Sequence, residues 1–481
     1  MQTEVNDKKE TDLFLTIAKV NLNDITSSLI KGNLKFYGLI NGNVEVKNVF
    51  KNPAPVANFQ IEKIVINRDT VGNLIVRSVW DESESKVKVN SSIIGKFQDI
   101  NIDGYYKANK TKTDELNFDV SINQLTPNVL DNFVSEYMYN NKGKLSGKLN
   151  LGGFVSKPAL TGFVNINSLQ TTVNFIHTTY FLKNQIARFT EKGIVLDGVT
   201  FTDRFGNTAY GGGTIYHEGL QKFYLDVFVK TSRIECIRTN YQQNNEFWGN
   251  VFANATAKFK GAADALIDID IAGKAIEGSD MSIMLNSTKE TEKYSFLNFR
   301  NKVTAPKEKS KNIAVKKTGI NMDIDIEVTR PCKLHVRFDP ATEDKINAEG
   351  TGNVKFRVKK NGEFTILGDY KVDQGDYVFT LQGVVKRKFY LKPGGTMTFV
   401  GDPYKSLINV DAVFRTRANP YELLRLYIDS EDLAQSQAAK LQIPIDLNLK
   451  LRNLLMKPDI SFDITFLSFD SNLKTAFDNL V

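Results

Sequence analysis

The clearest feature of the chain is a strict alternation of apolar and polar residues. From Ile320 to Thr329 every even position is apolar and every odd position is polar. Side chains of a β-strand point to opposite faces in turn, so this segment has one apolar and one polar face. The alternation recurs at 333–339, 353–358, 442–452 and 459–466. It predicts two-faced antiparallel strands, because parallel strands buried on both faces have continuous apolar runs.

Helical patterns are few. Thr126 and Pro127 predict a short helix that runs to Tyr137, with Thr126 as the N-cap and Pro127 at the first helical position. A second helix is predicted from Pro420 to Lys440, and a helix-like pattern from Leu473 to Leu480 ends without a cap. The sequence therefore predicts an all-β fold with two or three short helices.

A repeated unit is visible in the spacing of glycine and proline. Gly38 is followed by Pro53, and Gly143 by Pro158, with the same intervening offsets and a separation of 105 residues (143 − 38). The segment 451–458 has the same gap of seven positions between leucine and proline. The unit predicts a strand, a loop of about six residues closed by X-Pro, and an antiparallel return strand. Repetition favours an elongated, repetitive, mostly antiparallel curved sheet that resembles a β-solenoid.

The chain has 481 residues, more than one compact domain normally contains. Residues 301–318 carry six lysines and little apolar content, which predicts a flexible linker. The predicted regions are a β-repeat region at 1–122, a second one that opens with a short helix at 123–300, the linker at 301–318, and a C-terminal domain at 319–481.

The net charge of +7 is mild for this length. It is compatible with a membrane surface but does not indicate nucleic acid. Two cysteines, Cys236 and Cys332, are too few to organise the fold through disulfides. The N-terminus lacks a signal-peptide pattern, and no run reaches about 18 apolar residues. We expect either a cytoplasmic chain or the downstream part of a longer protein.

Residues suited to catalysis or metal binding are not grouped. His335 lies on the polar face of its segment and is expected to be solvated, while His177 and His217 are expected in different strands, away from any ligand cluster. The three carboxylates at 323–327 are best interpreted as an ordinary polar strand face and less readily as a cation site. The sequence therefore predicts no enzyme, no metal and no cofactor.

Three local motifs have structural interpretations. Gly211–Gly213 lacks the lysine and helix of a phosphate loop and predicts a bulge or a close backbone approach. Gly394-Gly395 predicts a hairpin turn. Lys386–Lys388 predicts a solvated strand end, with phosphate binding at a groove mouth as the alternative.

The apolar strand faces must be covered, and the sequence leaves two solutions open. A second sheet or a filled solenoid would bury them against other side chains. Alternatively, an open groove would leave a long apolar lining for lipid chains, since large exposed apolar patches usually mark interaction sites.

The segment from Gly319 to Phe466 resembles the C-terminal region of the TamB family (translocation and assembly module), in the form found in Bacteroidota. The stretch from Gly368 to Ala418 carries the resemblance. The matching residues, in order, are Gly375, Tyr377, Phe379, Phe389, Gly394, Gly395, Gly401, Asp402, Pro403, Ala412 and Phe414. The first 318 residues agree with the family only through the glycine–proline repeat.

The resemblance implies a curved "taco" sheet with an apolar inner surface, in an AsmA-like protein of the periplasm. An N-terminal anchor in the inner membrane, absent from this chain, is implied as well. The implied function is phospholipid transfer between the inner and outer membranes, or assembly and translocation of outer-membrane proteins, with an Omp85-type partner such as BamA or TamA and no nucleic acid.

On this basis we expect the inward residues of the clearest strands to line a lipid groove. They are Ile320, Met322, Ile324, Ile326, Val328, Leu334, Val336, Phe338, Val354, Phe356, Val358, Tyr377, Phe379, Leu381, Leu447, Leu449, Leu451, Phe462 and Ile464.

Three alternative functions make different demands on the sequence. A structural chaperone would bind nascent strands of outer-membrane proteins by edge pairing, without lipid transport. An outer-membrane barrel would need aromatic girdles that the strands do not show. An enzyme on a β-solenoid would need paired carboxylates or a nucleophile with its base, and neither is present.

Overall fold

The computed structural model describes residues 2–5, 11–29, 35–50, 53–67, 69–109, 113–135, 137–244, 247–284, 319–338, 344–361, 363–381, 385–402, 405–419, 441–455 and 457–468. The predicted linker at 301–318, the predicted helix at 420–440 and the pattern at 473–480 lie outside these ranges. Leu381 is described through its backbone only.

The chain forms two compact units. Unit 1 comprises Met1–Glu235, Ala255–Asp270 and Leu297–Asn321. Unit 2 comprises Cys236–Asn254, Ile271–Phe296 and Met322–Val481. The four regions predicted from the sequence remain a prediction.

Unit 1 is built on an antiparallel meander in which each strand pairs with the next along the chain. The strands are β1 Gln2–Val5, β2 Thr11–Asn21, β3 Phe36–Lys47, β4 Ala54–Ile66, β5 Asp69–Asp81, β6 Lys86–Ile94, β7 Asp99–Lys107, β8 Glu115–Leu125, β9 Met138–Phe154, β10 Lys157–Val173, β11 Thr178–Thr190, β12 Gly193–Thr202, β13 Thr208–Glu218 and β14 Gln221–Thr239. Helix α1 spans Leu22–Leu29.

The strands that follow are β15 Phe247–Ala262, β16 Leu266–Ala275, β17 Asp280–Met284, β18 Gly319–Val328, β19 Lys333–Arg337, β20 Lys345–Val358, β21 Phe364–Leu381, β22 Val385–Leu391, β23 Thr396–Gly401, β24 Leu407–Ala418, β25 Ile443–Arg452 and β26 Asp459–Phe466. In unit 2 the long strands β20 and β21 pair with each other. The next pairs are β24 with β25 and β25 with β26, all antiparallel, whereas β17 and β19 pair in parallel. The prediction of an all-β, mostly antiparallel, repetitive sheet is confirmed.

The predicted helix after Thr126 is shorter than expected. A 3₁₀ turn at Pro127–Leu130 leads into helix α2 at Asp131–Val134. Thr126 has the extended backbone of an N-cap, but its side chain makes no capping hydrogen bond. Its hydroxyl instead accepts a hydrogen bond of 2.7 Å from the side-chain amide of Gln98. The capping role predicted for the Thr126 side chain is therefore wrong.

The glycine–proline repeat forms the predicted strand–loop–strand unit in two of its three copies. Six residues separate β3 from β4, and six separate β25 from β26. In the remaining copy only two residues separate β9 from β10, and Pro158 pairs with Gly153 inside the ladder. The six-residue loop predicted there is wrong, because β9 and β10 continue their pairing past the proline.

Bulges bend the meander of unit 1. Strands β2, β4, β8 and β12 each carry an extra residue relative to their partner. At two of these bulges a backbone N–H group donates a hydrogen bond to the side chain of an asparagine on the next strand, in place of a ladder hydrogen bond. Asn41 Oδ1 lies 2.8 Å from the N–H nitrogen of Lys19, and Asn73 Oδ1 lies 2.9 Å from that of Lys63. Bulges increase local twist and bend a strand, so their recurrence curves the sheet.

Candidate functional site

The register of unit 1 aligns apolar residues across thirteen strands. Starting from Val20 on β2, the in-register partner on each following strand up to β14 is apolar or glycine. We term this set the first apolar row: Val20, Ile40, Ile61, Leu74, Ile93, Ile100, Ile122, Gly147, Val164, Ala187, Leu196, Gly213 and Val227. In-register partners share a face, so the row is one continuous apolar stripe.

A second apolar row runs beside the first, two positions along most strands and three along the bulged β2. Its members are Ile17, Gly42, Phe59, Val76, Ser91, Ile102, Val120, Leu149, Gly162, Phe189, Ile194, Ile215 and Leu225. Ser91 is the polar exception and is buried. With about 4.8 Å between strands, twelve intervals give each row a contour of roughly 58 Å. The two rows define the apolar face of unit 1.

The opposite face carries a polar row in the same register. It consists of Thr16, Asn43, Asn58, Arg77, Asn90, Asp103, Asp119, Asn150 and Thr161. The first seven of these side chains are exposed. Asn150 donates hydrogen bonds of 2.9 Å to Asp119 and 2.7 Å to Asn117. The two sides of unit 1 therefore differ in chemistry over many strands.

The apolar face of unit 1 is only partly covered. Ile40, Ile61, Ile122 and Ala187 of the first row are buried, and its other members are half-buried. In the second row Ser91 is buried, Gly162 is exposed and the remaining eleven residues are half-buried. A packed core would bury almost all of these side chains. Most of the face thus remains accessible to solvent.

Unit 2 contains a closed core by comparison. Its centre is formed by side chains such as Ile346, Val372, Met397, Ala412 and Leu449, all with no measurable exposure. Strands β19 to β25 contribute to this cluster. Burial raises the pKa of both Tyr370 and Tyr377 far above the usual tyrosine value, so both phenols stay neutral.

The predicted lining residues fall into three groups by exposure. Val336, Val354, Val358, Tyr377, Leu449 and Leu451 are buried, and four of them belong to the closed core. Ile320, Met322, Ile324, Ile326, Val328, Leu334, Phe338, Phe356, Phe379, Leu447 and Ile464 are half-buried. Phe462 is 48% exposed, and the side chain of Leu381 lies outside the described part. A lining role for these residues remains a prediction.

An aromatic cluster connects the predicted lining to residues that the sequence prediction omitted. Ring centroids lie 6.3 Å apart for Phe338 and Tyr377, 6.0 Å for Phe379 and Phe462, and 6.2 Å for Phe389 and Phe462. Phe389 is also 5.8 Å from Phe414. In the sequence, Phe389 and Phe414 stand out only as matches to the family pattern. The apolar residues two positions away from each, Leu391 and Ala412, could have placed them on the inner face.

The carboxylates at 323–327 form ion pairs with neighbouring strands. Asp323 lies 3.1 Å from Arg357, and Asp325 lies 2.8 Å from Lys355. Glu327 lies 2.7 Å from Lys274. Within the described residues no group of three or more histidine, cysteine or acidic side chains could hold a metal ion. The three carboxylates thus belong to a polar strand face that pairs with basic residues of neighbouring strands.

Two histidine predictions are wrong. His335 is half-buried, with Nδ1 2.7 Å from Asn347 Oδ1 and Nε2 3.0 Å from Asp280, because strands β17 and β20 flank it. His177 lies in the turn between β10 and β11, 3.0 Å from the hydroxyl of Tyr139, and burial lowers its pKa.

The glycine motifs have different outcomes. A side chain at Gly213 would place its Cβ 2.2 Å from the carbonyl oxygen of Asp226, so the predicted close backbone approach is confirmed. The hairpin predicted at Gly394-Gly395 is wrong. Strands β22 and β23 both pair antiparallel with β21 and with β24, so they run in the same direction and lie end to end between these two strands. The two glycines lie at the break between β22 and β23. Lys386–Lys388 is exposed at the start of β22.

An ion pair with a buried carboxylate joins the turn after β12 to strand β14 in unit 1. Glu235 on β14 is fully buried and receives two hydrogen bonds, of 3.1 and 2.8 Å, from the guanidinium of Arg204. Asp203 accepts the backbone N–H of Glu235 at 2.8 Å. Burial alone would raise the pKa of Asp203, but hydrogen bonds from Asn207 and from the N–H groups of Glu235 and Phe205 lower it overall. This network fixes the turn after β12 against β14.

Comparison with known proteins places the chain in a family. Among the described residues, no helix combines the length and hydropathy that a membrane crossing requires. No curated protein matches the chain. The family model for the TamB C-terminal domain matches residues 197–468, more than half of the chain, and its match begins well before the resemblance noted from Gly319. The chain therefore belongs to the TamB family, whose members serve in the biogenesis of the cell envelope.

Proposed function

We propose that the apolar face of unit 1 carries the acyl chains of phospholipids between the inner and outer membranes. The observation that supports this proposal is the uninterrupted alignment of apolar residues from Val20 to Val227. Its contour of roughly 58 Å exceeds the hydrocarbon thickness of a bilayer, about 30 Å. Acyl chains would replace water along the half-buried rows, with each buried methylene contributing about 0.8 kcal/mol. The polar row would remain in water.

Two adjacent residues on β10 provide a matched test. Val164 belongs to the first apolar row, between Gly147 and Ala187. Phe163 points to the other face, where it is 38% exposed. A photo-crosslinking amino acid at Val164 should capture phospholipid in cells, and the same group at Phe163 should not. The paired substitutions Val164→Asp and Phe163→Asp should block and preserve lipid transfer, respectively, because only the first places a charge on the apolar face.

Equal capture at both positions, or capture of protein alone at Val164, would contradict lipid transfer along this face. The crosslinking arm does not depend on the aspartate variants being stable. Cell fractionation of each variant would show whether loss of transfer accompanies loss of the protein.

An alternative proposal is a scaffold that binds strands of outer-membrane proteins. Strand β26 pairs with β25, and no other partner is described for it. Edge recognition of an extended segment would use the backbone N–H and C=O groups of such a strand. Crosslinkers on β26 would then trap protein, whereas lipid transfer predicts lipid adducts on the apolar rows.

We also propose that the protein acts in the periplasm, tethered to the inner membrane. An Omp85-type protein of the BamA or TamA kind is the proposed outer-membrane partner. Family membership supports both proposals. Co-purification of such a protein with the tagged protein is the corresponding test.

A further inference from the structure

The helical segment between β8 and β9 lies on the apolar face of unit 1. Val129, in the 3₁₀ turn, is buried in one cluster with Ile40, Ile61, Ile64 and Val71. Ile40 and Ile61 belong to the first apolar row, on β3 and β4. A segment that follows β8 thus packs into a cluster to which β3, β4 and β5 all contribute.

Burial along the first row reflects this cover. Ile40 and Ile61 are 7% and 6% exposed. Leu74, Ile93 and Ile100, on the three strands that follow, are only half-buried. The two row residues that share a cluster with Val129 are therefore, with Ile122 and Ala187, the buried members of an otherwise accessible row.

Polar contacts hold the segment at both ends. At its start the Thr126 hydroxyl accepts a hydrogen bond of 2.7 Å from Gln98. Asn128 donates a hydrogen bond of 3.0 Å to Asp69 on β5. At the far end Asn141 on β9 donates to Asp131. The segment is too short to be a stable helix alone, so these contacts and Val129 determine whether it stays in place.

We propose that residues 126–134 form a displaceable strap that packs on the apolar face, against the cluster of β3, β4 and β5, until an acyl chain replaces Val129. The proposed role of the strap depends on the proposed lipid transfer, and it adds a regulatory element to the same site. A fatty-acyl chain buries more apolar surface than one valine side chain, so exchange favours the lipid once the polar contacts open. The strap would keep this part of the face from exposing its apolar surface while no lipid is bound.

The test uses the full chain with two latch contacts removed, Thr126→Val together with Asn128→Ala. Both changes leave the apolar rows intact. We expect amide hydrogen exchange across 126–134 to rise about tenfold or more, since two hydrogen bonds are lost. Binding of a fluorescent phosphatidylethanolamine from vesicles of phosphatidylethanolamine and phosphatidylglycerol should tighten by about threefold or more.

Asn150→Ala is the matched control. It removes two side-chain hydrogen bonds of comparable length on the polar face, so neither exchange at the strap nor lipid binding should change. Val129→Ala is a second variant that should release the strap. It shortens the apolar side chain and keeps every polar contact of the segment.

The outcomes separate the strap from the function on which it rests. If exchange across 126–134 stays unchanged in both release variants, the strap is fixed and the proposal is overturned. If exchange rises but lipid binding does not, the strap is not a competitor of lipid. If a crosslinker at Val164 nevertheless captures lipid, the proposed lipid transfer holds without the strap. Absence of lipid binding by every variant, including the unaltered chain, would overturn both proposals.

Discussion

The rings of Phe379 on β21 and Phe462 on β26 lie 6.0 Å apart, centroid to centroid. In the sheet, the β22/β23 position, β24 and β25 separate their strands. Four strand spacings in a flat sheet would hold them roughly 19 Å apart. This part of unit 2 must therefore curl so that its inner face closes on itself, which explains why its core is filled by its own side chains.

Phe389 and Phe462 should differ in their effect on stability. Phe389 is 1% exposed at the centre of the aromatic cluster, so Phe389→Ala should cost about 3–5 kcal/mol. Phe462 is half exposed, and Phe462→Ala should cost roughly 1 kcal/mol. Urea denaturation of both variants would measure the difference. Equal losses would mean that the cluster does not close as described.

The pair Arg204 and Glu235 should respond unequally to loss of either partner. Arg204→Met would leave the carboxylate of Glu235 buried without its counter-charge, at a cost of about 3–5 kcal/mol. Glu235→Gln should cost less, because the Arg204 side chain is 32% exposed and can turn to water. The double variant should recover part of the loss in denaturation experiments. A larger loss for Glu235→Gln would contradict this assignment.

Asp203 should make the stability of unit 1 depend on pH in the acidic range. Its pKa in the folded chain is below the ordinary value of 3.8. A depressed carboxyl pKa contributes stability that is present above the unfolded value and is lost as pH falls through the folded value. Asp203→Asn should therefore be less stable than the unaltered chain near pH 7, and the gap should narrow below about pH 4. Urea midpoints across this range are the measurement, and a constant gap would refute the prediction.

The asparagines at the bulges should contribute small, local stabilisation. Asn73→Ala removes the acceptor for the Lys63 N–H and should cost about 0.5–1 kcal/mol, since this exposed site admits water. Asn73→Asp keeps an acceptor oxygen and serves as the control. Hydrogen exchange at the amide of Lys63 should rise in the alanine variant only. No change there would show that the contact is not maintained in solution.

Several structural features could be predicted from the sequence because they depend on local patterns. The alternation from Ile320 to Thr329 identified a two-faced strand, and the spacing from Gly38 to Pro53 identified a strand–loop–strand unit. The turn between β9 and β10 shows the limit of such patterns. The same glycine–proline spacing gives a two-residue connection there, because pairing of the flanking strands, and not the proline, decides where the turn falls.

Tertiary structure decided which residues meet. The alternation assigned Phe379 and Phe462 to apolar faces, but it could not show that they touch, nor that Phe389 lies between Tyr377 and Phe414. It also gave no sign that Val129 would join one buried cluster with Ile40 and Ile61. Contacts of this kind join positions far apart in sequence, and local propensity carries no information about them.

By itself, the sequence determined that this protein is an all-β chain whose strands each have one apolar and one polar face, since side-chain direction in a strand alternates with every residue. Only the tertiary structure decided that the apolar residues of thirteen strands align in unit 1 and that those of unit 2 close into a core. Register and curvature depend on bulges, turns and pairing between strands. A period of two residues is the same whether the resulting face is covered or left accessible.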